Sequence, residues 1–368
     1  MKIGYYAPLP PAKSGVADYA ADLLGALREK HEVLVNADGH VDARIYHVGN
    51  NGLHWETYQR ALRQKGIVIL HDAVLHHLLL GKLSREEYIE EFVYNYGEWH
   101  RETAARLWAR RGQSAADPAY FARPMLKRLV EGAARVVVHN GAAAKLVREH
   151  CEAACVSVTP HYFRAPRDYS YWEVDQYRET VLGVPRSEVL FGVLGHLRES
   201  KRLDTVLRAY GELRRQGLPV RLLLQGEFVG PDLERALGPL LEQEGIVRRG
   251  YLPEDEWWTM AHALDGVINL RWPSAGESSG IATRLMGIGK PVLVTRGEET
   301  ADLPEVSVVK VDAGAAEREE LMHYWAWLAI NKDARLAVGR HAALHIREHH
   351  ALDRVVERLL RPRLEFAA

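Results

Sequence analysis

Cysteine is nearly absent from this chain: only Cys151 and Cys155 occur in 368 residues. Two thiols four positions apart, on a predicted helix, have neither the count nor the spacing of a zinc centre or a disulfide framework, and a reducing compartment fits them. Excess charge is lacking too, since 48 basic residues meet 49 acidic ones for a net charge of −1. A nucleic-acid binder carries a strong positive balance, so nucleic acid is not an expected partner and any polyanion site must be local. No apolar run approaches the roughly 18 residues of a membrane helix. The opening MKIGYYAP lacks a basic segment followed by an apolar core and a small-residue cleavage site; it reads as a buried strand, and a cytoplasmic enzyme is expected. Neither G-x-G-x-x-G nor G-x-x-x-x-G-K-[ST] occurs, which removes the common dinucleotide and P-loop readings.

What is present is a long alternation. Short β-branched runs, KIGYY, HEVLV, RIYHV, GIVIL and RVVVH, then VLFGVLG, VRLLLQG, GVINL, PVLVT and VSVVKV, are separated by helical patterns. Strand and helix in alternation imply parallel sheets covered on both faces, and two such arrays imply two doubly wound α/β domains. Ligands of such sheets sit beyond the carboxyl ends of the strands. Between Val158 and Tyr177 the text TPHYFRAPRDYSYWEVDQY has no periodicity, which places a boundary near residue 168. The expected division is 1–168, 169–352, and a last helix within 353–368 leaning back on the first domain. A mostly helical insertion at about 75–131 holds a capping box, Ser84 to Glu87, and the basic clusters WARRG and RPMLKR. It fits either helices packed on the sheet with solvated charges or a lobe that binds acceptor or a membrane surface.

Several strand ends carry chemistry. The stretch VINLRWPSAGESSG runs from a strand to a helix start, placing Glu277, Ser278, Ser279 and Gly280 where unpaired N–H groups favour anions; a solvated loop capping a helix is the bland alternative. APLPPAKSGVADY sets Gly15 at another helix start. GIVIL ends in His71-Asp72, where the imidazole could contact a substrate hydroxyl with Asp72 orienting it, or Asp72 could simply cap a helix. His76 and His77 read as packing or surface residues. FGVLG is followed by His196 and, six residues after Gly195, by Lys201, which could sit over a diphosphate.

Together and in this order, these motifs resemble glycosyltransferase family 4, retaining nucleotide-sugar enzymes with the GT-B fold of two facing Rossmann-like domains with a cleft between them. PPAKSGVADY looks like that family's glycine loop, LHD like its strand-ending histidine, and GHLRESKRLDTVLRAY like its phosphate segment; LLLQGE, GYLPEDEWWTMAHALDGVINL and PSAGESSGIATRLMGIGKPVLVT follow as its donor segments do. The resemblance implies a donor that is a nucleoside diphosphate sugar and an acceptor that is a glycan, a lipid-linked glycan or a small molecule, with no cofactor and no metal. It implies that Gly15, His196, Lys201, Ser279 and Gly280 face phosphate and that His71 contacts the transferred sugar. Lys201 would stabilise the leaving diphosphate, Glu277 and Ser278 would hold sugar hydroxyls, and Gly226, Tyr251, Leu252 and Arg284 would line the nucleotide. Two departures stand out. His196 replaces an arginine after the glycine, and where the family carries a second glutamate for the ribose this chain reads Thr283-Arg284-Leu285, with no acceptor for those hydroxyls. The missing carboxylate supports a rival reading, a noncatalytic sugar-nucleotide or partner-binding protein. A sugar-nucleotide epimerase is a third, disfavoured by the glycine loop and donor segment.

Overall fold

The computed structural model describes residues 1–360, so the end of the predicted last helix, from residue 361, lies outside the described residues. The chain forms two compact units. The first comprises Met1–His161, Pro273–Ser278 and the C-terminal segment from Leu352; the second comprises Tyr162–Trp272 and Ser279–Ala351.

In the first unit the strands are β1 (Lys2–Tyr6), β2 (Glu32–Val35), β3 (Ala43–Val48), β4 (Ile67–Leu70), β5 (Arg135–Val138) and β6 (Val156–Val158), all parallel, in the spatial order β2-β1-β3-β4-β5-β6. In the second they are β7 (Val189–Leu194), β8 (Val220–Gln225), β9 (Ile246–Arg249), β10 (Gly266–Asn269), β11 (Val292–Arg296) and β12 (Val309–Asp312), ordered β12-β11-β10-β7-β8-β9. Each order reverses once, between β1 and β3 and between β7 and β10. At such a switch the two loops leave in opposite directions and open a crevice at the carboxyl edge. The sequence pattern anticipates ten of these strands. It misses β6 and β9, short outermost strands whose texts VSV and IVRR lack a buried apolar run, because an edge strand needs only one paired side.

Helices cover the sheets because their apolar residues recur at three- and four-residue spacing. Helix Gly15–Arg28 buries Tyr19, Ala20, Leu23, Leu24 and Leu27, and Ser14 caps it by accepting from Ala17 N at 3.1 Å. The insertion between β4 and β5 forms five α-helices and two 3-10 turns, whose Tyr88, Phe92, Tyr120 and Leu129 share a core with Tyr46, Val48 and Leu70. Three of its cations have partners within the unit: Arg128 donates to the buried Glu91 at 2.6 Å and lies over the Tyr94 ring, Arg110 faces Asp117, and Arg111 covers Trp108. Cys151 closes helix Gly141–His150 and Cys155 precedes β6, so the thiols do not share a helix as the spacing suggested. The helix Leu352–Leu360 buries Val355 and Leu359 and packs beside Gly15–Arg28. No described helix is long and apolar enough to cross a membrane.

The predicted capping box is present: Ser84 Oγ accepts from Glu87 N at 3.3 Å and Glu87 Oε2 accepts from Ser84 N at 2.8 Å. Ser84→Ala is expected to lower stability by about 1 kcal/mol, read as a shifted urea midpoint at unchanged slope.

Candidate active site

The sequence-selected residues divide between the units. Gly15, His71, Glu277 and Ser278 belong to the first; His196, Lys201, Gly226, Tyr251, Leu252, Ser279, Gly280 and Arg284 belong to the second.

In the first unit, His71 leaves the end of β4 and is 7% exposed. Its ring is held by two other imidazoles. His47 Nδ1 lies 2.9 Å from His71 Nε2, and His139 Nε2 lies 3.2 Å from His71 Nδ1. The opposite nitrogen of His139, Nδ1, donates to Thr159 O at 2.9 Å. These residues meet because β3, β4 and β5 are neighbours and each ends, or nearly ends, in histidine. Tyr19 packs its ring against His71, His139 and His161 at centroid distances of 4.9, 5.3 and 4.8 Å. Asp72 accepts from Asn50 N at 2.7 Å, so the ring is oriented by imidazoles, with Asp72 tying the adjoining loop. Burial disfavours the charged ring: His47 and His71 lie well below the ordinary histidine value and His139 falls to about 4, with desolvation the leading cause in each.

The Glu277 loop is built on itself. Glu277 Oε2 accepts from Ala275 N at 2.8 Å and from Ser274 Oγ at 3.3 Å. Asn140, next after His139, caps helix Gly141–His150 and donates through Nδ2 to Gly276 O at 3.1 Å and Ser278 Oγ at 3.0 Å. Gly276 has φ of +71°, and a Cβ there would meet Ala73 Cβ at 2.9 Å, so only glycine suits this approach. Gly15 differs: a Cβ there would meet nothing within 4 Å.

In the second unit the switch between β7 and β10 is flanked by the two segments that the sequence singled out for phosphate. After β7, Gly195 has φ of +82° and Lys201, 5% exposed, turns its ammonium back onto Leu194 O. His196 is exposed, and Leu197 is pinned to the loop after β8 by its N–H to Glu227 O at 2.9 Å. After β10, Ser279 caps helix Gly280–Gly287 by accepting from Ala282 N at 3.2 Å, while Arg271 reaches Ser279 Oγ at 3.4 Å. Gly226 is required by packing, since at φ of +126° a Cβ would sit 2.3 Å from Gly195 O. Tyr251 is 63% exposed with its N–H on Glu227 at 3.3 Å, and Leu252 packs on the core. Arg284 lies over the indoles of Trp257 and Trp258 at 5.6 and 5.7 Å, and Leu285 is fully buried, so this face of the helix cannot offer a carboxylate without charging the core.

Sequence reasoning missed His47, His139, Asn140, Gln225 and Arg271. Gln225, 5% exposed at the end of β8, accepts from Trp257 Nε1 at 3.2 Å and Gly195 N at 3.4 Å and donates to Gly250 O at 3.0 Å, tying three strand ends together. The available signal was a polar residue closing an apolar strand, which RVVVH and LLLQG share with the GIVIL-His71 end.

The chain matches no known family model and no curated protein. Among solved structures it is similar to sucrose-phosphate synthase from Thermosynechococcus elongatus, with 13% identity, TM-score 0.69, and coverage of 98% of this chain and 97% of that one. It is similar to Anabaena HepE, solved with UDP-glucose, with 14% identity, TM-score 0.66 and 98% of each chain covered. It is similar also to a Listeria monocytogenes structure assigned as a UDP-N-acetylglucosamine 2-epimerase, with 14% identity, TM-score 0.55, and 98% of this chain and 94% of that one covered. The fold is thus GT-B, carried by two Rossmann-like sheets, and it is shared by transferases and an epimerase alike.

Gly226→Ala should cost about 2 kcal/mol or more, whereas Gly15→Ala should stay within about 0.5 kcal/mol, both measured by urea unfolding. Stability should also fall in acid. Above about pH 6.5 the folded and unfolded imidazoles are both neutral; as pH drops toward 4 the unfolded chain takes up protons that the buried rings refuse, removing up to about 1.4 kcal/mol per pH unit for each such ring. Proton uptake on unfolding, measured calorimetrically near pH 5, checks this.

Proposed function

We propose that the chain is a retaining glycosyltransferase that moves a sugar from a nucleoside diphosphate sugar to a hydroxyl of a glycan, lipid-linked glycan or small acceptor. The observation that carries this reading is that, beside the β7/β10 switch of the second unit, Gly195 adjoins both Lys201 Nζ and Ile281 in the first turn of helix Gly280–Gly287: a Cβ at Gly195 would meet them at 3.7 and 2.5 Å. That combination suits a diphosphate. The neighbouring structures solved with UDP and UDP-glucose support the donor class.

In the proposed step the bond from the anomeric carbon to the diphosphate oxygen breaks and a bond from the acceptor oxygen to that carbon forms on the same face. The acceptor proton passes to the departing phosphate oxygen. Lys201 and the helix N-terminus stabilise the charge developing there, with Arg271 as a further cation, so that no metal is called upon. Glu277 holds sugar hydroxyls, beside Ser278. Gly15 admits the donor phosphate, while His196, Gly226, Tyr251, Leu252 and Arg284 border the nucleotide. A hydrogen bond from His71 to the sugar would displace one of its two imidazole partners.

One observation favours a second reading. Buried Leu285 and stacked Arg284 leave the ribose without the family's second carboxylate, as in a sugar-nucleotide-binding protein without turnover. Titration with UDP, GDP, ADP, CDP and TDP and their sugar conjugates separates the readings. A cognate ligand at about 100 times its Kd should add about 2.7 kcal/mol of stability, lost in Lys201→Ala. Donor consumption abolished by Glu277→Gln supports the transferase; binding without consumption in any acceptor mixture supports the second reading, and no nucleotide binding removes both.

A further inference from the structure

The buried histidines of the first unit form a directed chain. A carbonyl oxygen only accepts, so His139 carries its proton on Nδ1 for Thr159 O, and its Nε2 is then a lone pair. His71 must therefore present Nδ1–H to His139, which makes His71 Nε2 a lone pair, and His47 must donate to it from Nδ1. His54 follows the same rule, since its Nδ1 donates to His47 O at 3.0 Å. Among these four rings the buried nitrogens with no hydrogen-bond partner in the described residues, His47 Nε2 and His54 Nε2, are the ones this assignment leaves as lone pairs. Buried N–H groups are almost never left unpaired, so the assignment agrees with a fact not used to build it.

We propose that His139 is a positioning residue that locks His71 as an uncharged Nδ1–H tautomer, the lock being set from the Thr159 carbonyl and running outward through His139 to His71, with His47 following as the last donor. The chain is not a proton wire, because it ends on a carbonyl that cannot take a proton. The rings packed against it are Tyr5 from β1, Tyr19 from helix Gly15–Arg28, His54 after β3, and His161 after β6; burial disfavours the charged forms of Tyr5, Tyr19 and His54. Burial keeps the imidazoles neutral. The purpose of the lock rests on the transferase reading: sugar transfer develops positive charge at the anomeric carbon, and an imidazolium at the end of β4 would oppose it, while a neutral ring does not. His71 then acts as a fixed neutral wall of the site rather than as an acid or base.

The test reads tautomers directly by long-range nitrogen–proton NMR of the full chain labelled with nitrogen-15 histidine, with no substrate present. The 18 histidines are assigned by single substitution. His47, His71 and His139 are expected as Nδ1–H, a tautomer that free histidine disfavours, and to remain so at pH 5.5. The direction of the lock is the sharper expectation. His139→Leu should release His71 to the Nε2–H form, His139→Gln, whose amide oxygen replaces the Nε2 acceptor, should retain Nδ1–H, and His47→Leu should leave His71 unchanged. An imidazolium or an Nε2–H signal for His71 in the unsubstituted protein, or a His71 signal unmoved by His139→Leu, overturns the proposal. If His139→Leu does not fold, the His139→Gln and His47→Leu spectra still decide it. Where a donor is consumed, His139→Leu should lower kcat by about tenfold to a hundredfold at unchanged donor KM, with His139→Gln restoring most of it. Absence of any sugar-nucleotide binding would refute the transferase reading and leave the tautomer result standing on its own.

Discussion

Parallel pairing forces every strand of a sheet to end on the same edge, and the polar chemistry of this chain depends on that constraint. Because β3, β4 and β5 are neighbours running in one direction, three histidines widely separated in sequence meet within hydrogen-bond reach. Because β7, β8 and β9 do the same, Gln225 can bind the ends of all three with one amide. In an antiparallel sheet these residues would alternate between opposite edges and none of the contacts would form.

The same constraint explains where polarity is tolerated. His71, His139, Lys201 and Gln225 are all nearly inaccessible to water, and burial of a polar side chain is costly unless it is hydrogen-bonded. Strand ends supply the partners, since carbonyls at or just past the last residue of a strand can accept. Leu194 O takes the Lys201 ammonium, Thr159 O takes His139, and Gly250 O takes Gln225.

The fold was largely legible before any coordinates. Ten of the twelve strands stand out as β-branched runs, the Ser84 capping box announces its helix, and the glycine-bearing turns mark the strand-to-helix passages. The two missed strands carry no signal because an outermost strand is specified by its one neighbour, not by its own apolar content. The site was legible only in part. His71, Lys201 and Glu277 attract notice as polar residues after strands, but His47 lies inside a strand and looks like a core histidine until its neighbour is known. Gly226 and Gly15 look alike in sequence, and only the space around each shows that a Cβ at one would strike the Gly195 carbonyl while a Cβ at the other would meet nothing within 4 Å among the described residues.

What the sequence alone determined is the class of the chain, two doubly wound parallel sheets, because apolar period and strand–helix alternation are local properties written residue by residue. What only the tertiary structure decided is which polar groups meet: that His71 is oriented by His47 and His139, that Asn140 holds the Glu277 loop, and that Leu285 fills the core where a carboxylate was sought. The reason is the order of strands in the sheet. That order brings together residues far apart in sequence, and no local pattern records which strand ends will be neighbours.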